Sequence, residues 1–364
     1  MNESAIQIVL TAGGTGGHVF PAEALARELT AAGTKVTFIT DRRGNSFSGC
    51  FPESKEYRVF AGAYAGKPFL KKFWALFLMG IGILQSILIL SKIKPNAVVG
   101  FGGYAAFPAS FAAGILKIPL ILHEQNSVLG GANRVLGKRA ALIATTFPDV
   151  ERIPEGVKTE YTGVPVRPEI LAVRAQSYQP AGETFNLLIF GGSQGASLFS
   201  RVIPPALVQL PEEIKKRLRI VQQCRTEDLP AVRQAYDGSG LTVDLAPFFT
   251  DMADRLARAH FVICRAGASS IAELSTAGRP ALIVPILRSP DSHQLKNALF
   301  IAKNNGAFLC EEPDFTPEYL SNKIKELINT PQILTTAAEK AKELGKPDAV
   351  HLLAAAVLKT ARGS

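Results

Sequence analysis

At 364 residues the chain has room for two domains, or for one with large insertions. Apolar residues make up 47% of it and charged residues 20%, a balance that excludes a disordered chain and supports a sizeable core. Forty Lys and Arg against thirty-one Asp and Glu leave a formal charge of +9, which points to an anionic partner without choosing among nucleic acid, a phosphate-bearing ligand and a lipid head group.

In chain order, residues 6–10 form a short apolar run that reads as a strand, residues 13–17 a glycine turn, and residues 21–32 a helix closed by Gly33. A second strand is expected at 36–40. Residues 73–90 then run apolar except for Gln85 and Ser86, and as a helix would span about 27 Å, the lower edge of a bilayer core. A membrane span would separate strands expected to share one sheet, and lysines flank both ends (Lys71 and Lys72, Lys92 and Lys94), so no orienting asymmetry exists. Between Glu56 and Glu124 there is no acidic residue, while Arg58, Lys67, Lys71, Lys72, Lys92, Lys94 and Lys117 are all there. An apolar segment with Trp74 and several Phe, framed by lysines, suits a surface resting on anionic lipid, with a wholly buried core helix as the alternative.

Further strands are expected at 97–100, 120–122 and 142–144. After Gly163-Val-Pro-Val-Arg167 and a polar stretch the rhythm restarts: strand 186–190, glycine turn 191–195, helix 196–210, then strands at 219–222, 242–245, 261–264 and 281–284. Uniformly apolar runs separated by helices indicate parallel strands covered on both faces, hence two doubly wound α/β domains. The expected division is 1–164 and 165–347, with a C-terminal helix 348–362 joining the first domain. Cys50, Cys224, Cys264 and Cys310 form no C-x-x-C pair, which argues against metal clusters and disulfides and for a reducing, cytosolic setting; no signal-peptide pattern opens the chain.

Gly13-Gly-Thr-Gly-Gly-His18 sits between the first strand and first helix, where glycines bring backbone N–H groups close to a ligand and the helix N-terminus favours an anion. It is not the dinucleotide fingerprint, which would need glycine where Val19 stands, and no G-K-[ST] follows to make a nucleotide-triphosphatase loop. Gly191-Gly-Ser-Gln-Gly195 repeats the arrangement, with Ser193 able to donate to a phosphate. A third turn, Arg265-Ala-Gly-Ala-Ser-Ser270, leads into a helix carrying Glu273. Ser270-Ile-Ala-Glu273 matches a capping box, and equally a carboxylate beside a phosphate site can hold a ribose diol; spacing leaves both readings open. In open parallel sheets ligands bind beyond the strand carboxyl ends, where His18, Tyr104, His123, Glu124 and Asn126 would converge. His260 and His351 lack such a context.

Taken together, GGTGGHVFP from Gly13, GFGGYAAFP from Gly100, HEQN from His123, GGSQGA from Gly191, CRAGASSIAE from Cys264 and DSHQLKNA from Asp291 closely resemble the MurG family of peptidoglycan glycosyltransferases (GT-B superfamily, family 28). The resemblance implies a GT-B fold of two Rossmann-like domains facing across a cleft. It also implies transfer of GlcNAc from UDP-GlcNAc to undecaprenyl-pyrophosphoryl-MurNAc-pentapeptide, making lipid II from lipid I. Matching motif to motif, it assigns Thr15, Gly16 and Gly17 to donor contact, Asn126 to GlcNAc and Arg167 to the interdomain strand-loop. It assigns Ser193 to the diphosphate, Glu273 to the ribose and Gln294 to a sugar hydroxyl. The first domain would then serve the acceptor and the membrane, the second UDP-GlcNAc. Two departures stand out: Val164 where the family often has Asn, and a longer unbroken apolar stretch at 73–90.

Such a reaction inverts the sugar anomeric centre, so a base must take the acceptor hydroxyl proton during one displacement. His18 is the first choice, its ordinary pKa of about 6.5 suiting neutral operation, with orientation of the acceptor pyrophosphate as its alternative task; Glu124 is the second choice of base. No Asp-x-Asp is present, so no metal ligand or other cofactor is expected. The expected partners are UDP-GlcNAc, lipid I, anionic inner-leaflet lipids and other cell-wall synthesis enzymes, at the cytoplasmic face of the inner membrane. A nucleic-acid or nucleotide binder without catalysis is the competing class, disfavoured because the basic residues accompany an apolar segment rather than exposed alternating aromatics. Within enzymes, a GT-B glycosyltransferase with another lipid acceptor is the runner-up.

Overall fold

The computed structural model describes residues 6–13, 16–41, 54–62, 69–192 and 195–363, with the side chains of 69–72 excepted. Thr15, Ser193, Cys50 and Lys67, and the side chains of Lys71 and Lys72, lie outside the described residues. The chain divides into two compact units, Met1–Arg167 with Pro347–Ser364, and Pro168–Lys346.

The first unit runs β1 (Gln7–Thr11), α1 (Gly16–Ala31), β2 (Lys35–Asp41), β3 (Lys55–Val59), α2 (Phe69–Ile93), β4 (Ala97–Gly100), α3 (Phe107–Ile115), β5 (Leu120–Glu124), α4 (Gly131–Gly137), β6 (Leu142–Thr145) and β7 (Thr159–Tyr161). Its strands pair in parallel in the order β3-β2-β1-β4-β5-β6-β7. Alternate residues of β1 feed two cores: Ile8 and Leu10 pack with Leu25, Leu29 and Phe101, whereas Val9 packs with Ile39, Val98 and Leu120. Burial on both faces is why β1, β4, β5 and β6 read as unbroken apolar runs. The edge strands β3 (KEYRV) and β7 (TEY) are partly exposed and polar, which hides them from an apolar-run reading.

Helix α2 is amphipathic in the reverse of the usual sense. Ala75, Met79, Gly82, Ser86 and Leu90 are buried, while Trp74, Leu84 and Leu88 are 60%, 63% and 73% exposed and Phe73, Leu76 and Phe77 are exposed with them. Its two polar residues serve the inner side: Ser86 Oγ donates to Gly82 O at 2.8 Å and Gln85 Oε1 accepts from Phe60 N–H at 2.9 Å. Gly82 must be glycine, since a Cβ there would stand 1.8 Å from Phe60 O. Residues 73–93 are long and apolar enough to cross a membrane by length and composition, with mean hydropathy 2.2. The helix is nevertheless the crossover from β3 to β4 of one sheet, and its inner face belongs to that domain's core.

The second unit runs α5 (Pro168–Arg174), β8 (Phe185–Phe190), α6 (Ser197–Val208), α7 (Glu212–Arg217), β9 (Leu218–Gln223), α8 (Leu229–Tyr236), β10 (Thr242–Ala246), α9 (Met252–Arg258), β11 (Phe261–Cys264), α10 (Ala268–Ala277), β12 (Ala281–Ile283), α11 (His293–Lys303), β13 (Phe308–Leu309), α12 (Pro317–Asn329) and α13 (Pro331–Leu344). Its sheet is again parallel, in the order β10-β9-β8-β11-β12-β13. Phe185, Leu187, Ile189, Phe199, Phe261 and Leu282 anchor its core. The last helix, α14 (Ala349–Arg362), returns to the first unit, where Leu353 and Val357 join the core beneath α1.

Both sheets follow the doubly wound plan, in which the strand order reverses once, between β1 and β4 in the first and between β8 and β11 in the second. Loops leaving the two strands on either side of that reversal diverge and open a crevice, the usual ligand position in such sheets.

Candidate functional site

In the first unit the turns after β1 and β4 meet at the reversal. Gly13 N–H donates to Gly102 O at 3.1 Å, and a Cβ on Gly13 would stand 3.1 Å from Gly103 Cα. Gly102 and Gly103 have φ of +83° and +77°, open to glycine at little cost, so both turns need that residue for approach and for conformation. Gly16 and Gly17 are not loop but the first turn of α1, so the helix starts five residues earlier than its apolar periodicity indicates. Their N–H groups belong to the unsatisfied N-terminal turn that attracts anions.

His18 follows in the same turn, its ring against Gly102. Burial holds its pKa below 6.5, opposed by hydrogen bonding with Gln125 and Phe101. His123 is fully buried, and burial takes it down to about 4, opposed by the Gly163 carbonyl and reinforced by His18. It therefore stays neutral near pH 7 and is linked through Nε2 to Gly163 O at 2.9 Å, a structural tie to the segment before Arg167. Arg167 itself belongs to the first unit, its guanidinium 5.6 Å from the Phe20 ring centroid on α1, and the buried Val164 and Val166 carry the chain there. The unit boundary accordingly falls after Arg167 rather than after residue 164.

Glu124 is buried and fully engaged. Oε1 accepts from Asn126 N–H at 3.0 Å and Asn126 Nδ2 at 3.4 Å; Oε2 accepts from Gly130 N–H and Asn133 Nδ2, both at 2.9 Å. Burial pushes its pKa above the usual carboxylate value, and these four donors pull it back. A carboxylate has about four lone-pair positions, and these donors meet them in the structure. The carboxylate thereby shapes the loop that presents Asn126. Tyr104 lies in the turn after β4, near the same edge.

In the second unit the turn after β8 is set by Gln223 at the end of β9, a residue that no motif singled out. Its Oε1 accepts from Gly191 N–H at 3.0 Å and its Nε2 donates to Gly192 O at 3.0 Å and Pro247 O at 3.2 Å. Gly191 lies so close to the returning chain that a Cβ would stand 2.4 Å from the Gly195 carbonyl carbon. The turn opens onto α6, whose N-cap Ala196 offers no side-chain cap. Arg225, also missed from sequence, donates to Ser197 Oγ at 2.7 Å beside that N-terminus. The turn after β11 opens onto α10, capped by Gly267 without a side-chain hydrogen bond.

That last observation resolves the capping-box expectation. The N-cap is Gly267, so Ser270 is the third helical residue and Glu273 lies in the second turn, half-buried. Ser270 and Glu273 thus cannot form the box, and the capping reading of Glu273 falls. Gln294, at the start of α11, accepts Ile286 N–H through Oε1 at 3.1 Å. Among the described residues no group of three or more His, Cys, Asp or Glu is placed to hold a metal ion. Chemically, the second unit offers two glycine-bounded turns and two helix N-termini flanking one crevice, an arrangement that concentrates N–H donors on an anion such as a diphosphate.

Comparison with known proteins agrees with this layout. The glycosyltransferase family 28 N-terminal domain matches residues 8–145 and the C-terminal domain of that family matches residues 186–353. The UDP-N-acetylglucosamine–N-acetylmuramyl-(pentapeptide) pyrophosphoryl-undecaprenol N-acetylglucosamine transferase of Rhodospirillum centenum is 46% identical over 359 residues, covering 98% of this chain and 94% of that protein. The crystal structure of Acinetobacter baumannii MurG superposes with a TM-score of 0.78 at 32% identity, covering 98% of this chain and all of that one. A UDP-GlcNAc 2-epimerase from Neisseria meningitidis, 16% identical over 97% of this chain and 100% of that one, shares the fold with a TM-score of 0.68. With both family 28 domains in order and near-complete coverage of such relatives, the chain belongs to glycosyltransferase family 28, in its MurG branch, with the GT-B fold of two Rossmann-like domains.

Proposed function

We propose that the chain transfers GlcNAc from UDP-GlcNAc to the C4 hydroxyl of MurNAc in undecaprenyl-pyrophosphoryl-MurNAc-pentapeptide, converting lipid I to lipid II with inversion. Its support is the near full-length likeness to the Rhodospirillum centenum transferase combined with paired N–H-lined turns at the reversal of each sheet. In this reading the second unit holds UDP-GlcNAc: Ser193 and the 191–196 turn take the diphosphate, Glu273 the ribose diol, and Gln294 a sugar hydroxyl. The first unit takes the acceptor, with Thr15, Gly16 and Gly17 in donor contact, Asn126 at the GlcNAc and Arg167 in the strand-loop between the domains.

As the acceptor oxygen attacks C1 of GlcNAc, its proton passes to His18 and the C1–O bond to UDP breaks, UDP leaving with the electron pair. The negative charge gathering on the diphosphate falls on backbone N–H groups at the N-termini of α6 and α10, which are oriented before reaction. No cofactor enters the scheme. The test is radiolabelled UDP-GlcNAc with a short-chain lipid I analogue and the product identified by mass. A disaccharide-bearing lipid is expected; no product here, with transfer to another lipid acceptor instead, overturns the reading.

The acceptor is a membrane lipid, and the exposed stripe of α2 would rest on the anionic inner leaflet as a peripheral contact, with neighbouring lysines adding about 1 kcal/mol each. Leu84→Glu with Leu88→Glu removes two exposed apolar contacts, each worth about 1.5–3 kcal/mol when buried. Sedimentation with anionic vesicles is therefore expected to weaken by roughly 100-fold or more. Unchanged vesicle binding at physiological salt rejects α2 as the docking face.

A further inference from the structure

The loop from β12 to α11 covers residues 284–292 and carries the exposed Ile286 and Leu287. Beyond a single 3-10 turn at Pro290–Ser292 it has no regular structure, and both Asp291 and Ser292 have φ of +53°. Within the loop, Ser289 N–H donates to Ile286 O at 3.2 Å and Ser292 N–H to Ser289 O at 3.0 Å, and partners outside it also set its shape. Its first partner is local: Gln294 Oε1 takes Ile286 N–H at 3.1 Å.

The second partner comes from far along the chain. Glu312, in the turn after β13, accepts Leu287 N–H through Oε2 at 3.1 Å. Its other oxygen, Oε1, takes Arg265 Nη2 at 2.7 Å. Arg265 is 7% exposed, donates through Nη1 to Val284 O at 3.0 Å, and has its guanidinium 5.0 Å from the Phe199 ring centroid. One carboxylate therefore joins the residue directly after β11 to the loop directly after β12. Bonds from outside reach the loop at Val284 O and Pro285 O through Arg265, at Ile286 N–H through Gln294 and at Leu287 N–H through Glu312.

This arrangement also settles how the Gln294 amide points. An N–H can be met only by the amide oxygen, so Oε1 faces Ile286 and the NH2 group is turned away from it. Held this way by Ile286 N–H, Gln294 keeps its NH2, a donor to a hydroxyl oxygen, directed away from the loop.

We propose that Glu312 is a positioning residue for the donor sugar: by joining Arg265 to Leu287 N–H it holds the 284–292 loop so that Gln294 directs its NH2 toward a sugar hydroxyl. The inference rests on the second unit being the UDP-GlcNAc site. It places the larger effect on the sugar, because the loop is tied to Gln294, the 191–195 turn is held separately by Gln223, and Glu312 reaches the turn before α10 only through the Arg265 side chain.

The experiment measures kcat and KM for UDP-GlcNAc, and calorimetric Kd values for UDP and UDP-GlcNAc, in the wild type, Glu312→Ala, Glu312→Gln and Gln294→Ala. Glu312→Ala is expected to raise KM and the UDP-GlcNAc Kd roughly tenfold or more, since it strands a buried guanidinium and a loop N–H. UDP affinity and kcat should stay within about threefold. Glu312→Gln keeps an oxygen for Leu287 N–H but turns its NH2 toward the Arg265 guanidinium, so a loss between the wild type and Glu312→Ala is expected. Adding Glu312→Ala to Gln294→Ala should cost little more, since one acts through the other. Should Glu312→Ala fail to fold by thermal unfolding, Glu312→Gln and its combination with Gln294→Ala carry the same comparison, with a smaller rise in the UDP-GlcNAc Kd. Equal weakening of UDP and UDP-GlcNAc, or full additivity with Gln294→Ala, overturns the inference while leaving the donor site standing. Failure of the wild type to bind UDP at all overturns the donor site and this inference with it.

Discussion

His18→Ala is expected to lower kcat roughly 100- to 10,000-fold, the usual contribution of a positioned general base, while the Kd for UDP-GlcNAc remains close to the wild-type value. The split follows from placement. His18 sits in the first turn of α1 against Gly102, whereas the N–H donors proposed for the diphosphate belong to the other unit. Burial holds the imidazole below its ordinary 6.5, so it is neutral and able to accept a proton at pH 7. The log kcat profile should therefore show an acid limb, with activity falling as pH drops through a value below 6.5. Stability has the same sign. A histidine whose folded pKa is depressed binds fewer protons folded than unfolded, so its contribution is complete above 6.5 and lost as pH falls. For His123 that loss extends from 6.5 to about 4. Steady-state kinetics with a lipid I analogue, paired with calorimetric binding of UDP-GlcNAc, checks the first expectation. Near-normal turnover in the alanine variant removes His18 as the base and leaves it orienting the acceptor pyrophosphate.

Glu124→Ala is expected to destabilise the first unit by roughly 3–5 kcal/mol, because it deprives Asn126 N–H, Gly130 N–H and Asn133 Nδ2 of their acceptor in a buried setting. For a domain of this size that corresponds to a fall in Tm of about 10 °C. Activity should fall too, since the same carboxylate shapes the loop that presents Asn126. Glu124→Gln is the informative companion. Its one oxygen can still serve two donors, but its NH2 must face N–H groups, so an intermediate loss of stability is expected. The acid limb of the rate profile should remain in Glu124→Gln, because the titrating group is His18. Wild-type stability combined with a lost kcat and a lost pH limb would return Glu124 to the role of base.

The readings that succeeded from sequence share a physical origin. Strands β1, β4, β5 and β6 are covered on both faces, so burial alone demands an unbroken apolar run that any hydropathy reading detects. The glycine turns were equally legible, because close backbone approach at Gly13 and Gly191 admits no side chain. Edge strand β10 was read at 242–245, but the other edges escaped notice: β3 and β7 present polar residues to solvent, and β13 has only two residues. The capping box failed for a different reason. The S-x-x-E spacing was present, but α10 begins at Ala268, just after Gly267, so the serine lies inside the helix it was expected to cap.

Composition and local pattern thus determined the fold class, the glycine-bounded turns and the residue types gathered at the strand ends, since each follows from burial or from backbone reach over a few residues. Tertiary structure decided the rest. Only packing shows that α2 turns Gln85 and Ser86 inward and its apolar stripe outward, that Glu124 spends its lone pairs on its own loop, and that Gln223 and Glu312 hold turns distant in sequence. Hydrogen bonds between groups thirty residues apart leave no periodicity for a sequence to display; they exist only once the sheet has brought neighbouring strand ends together.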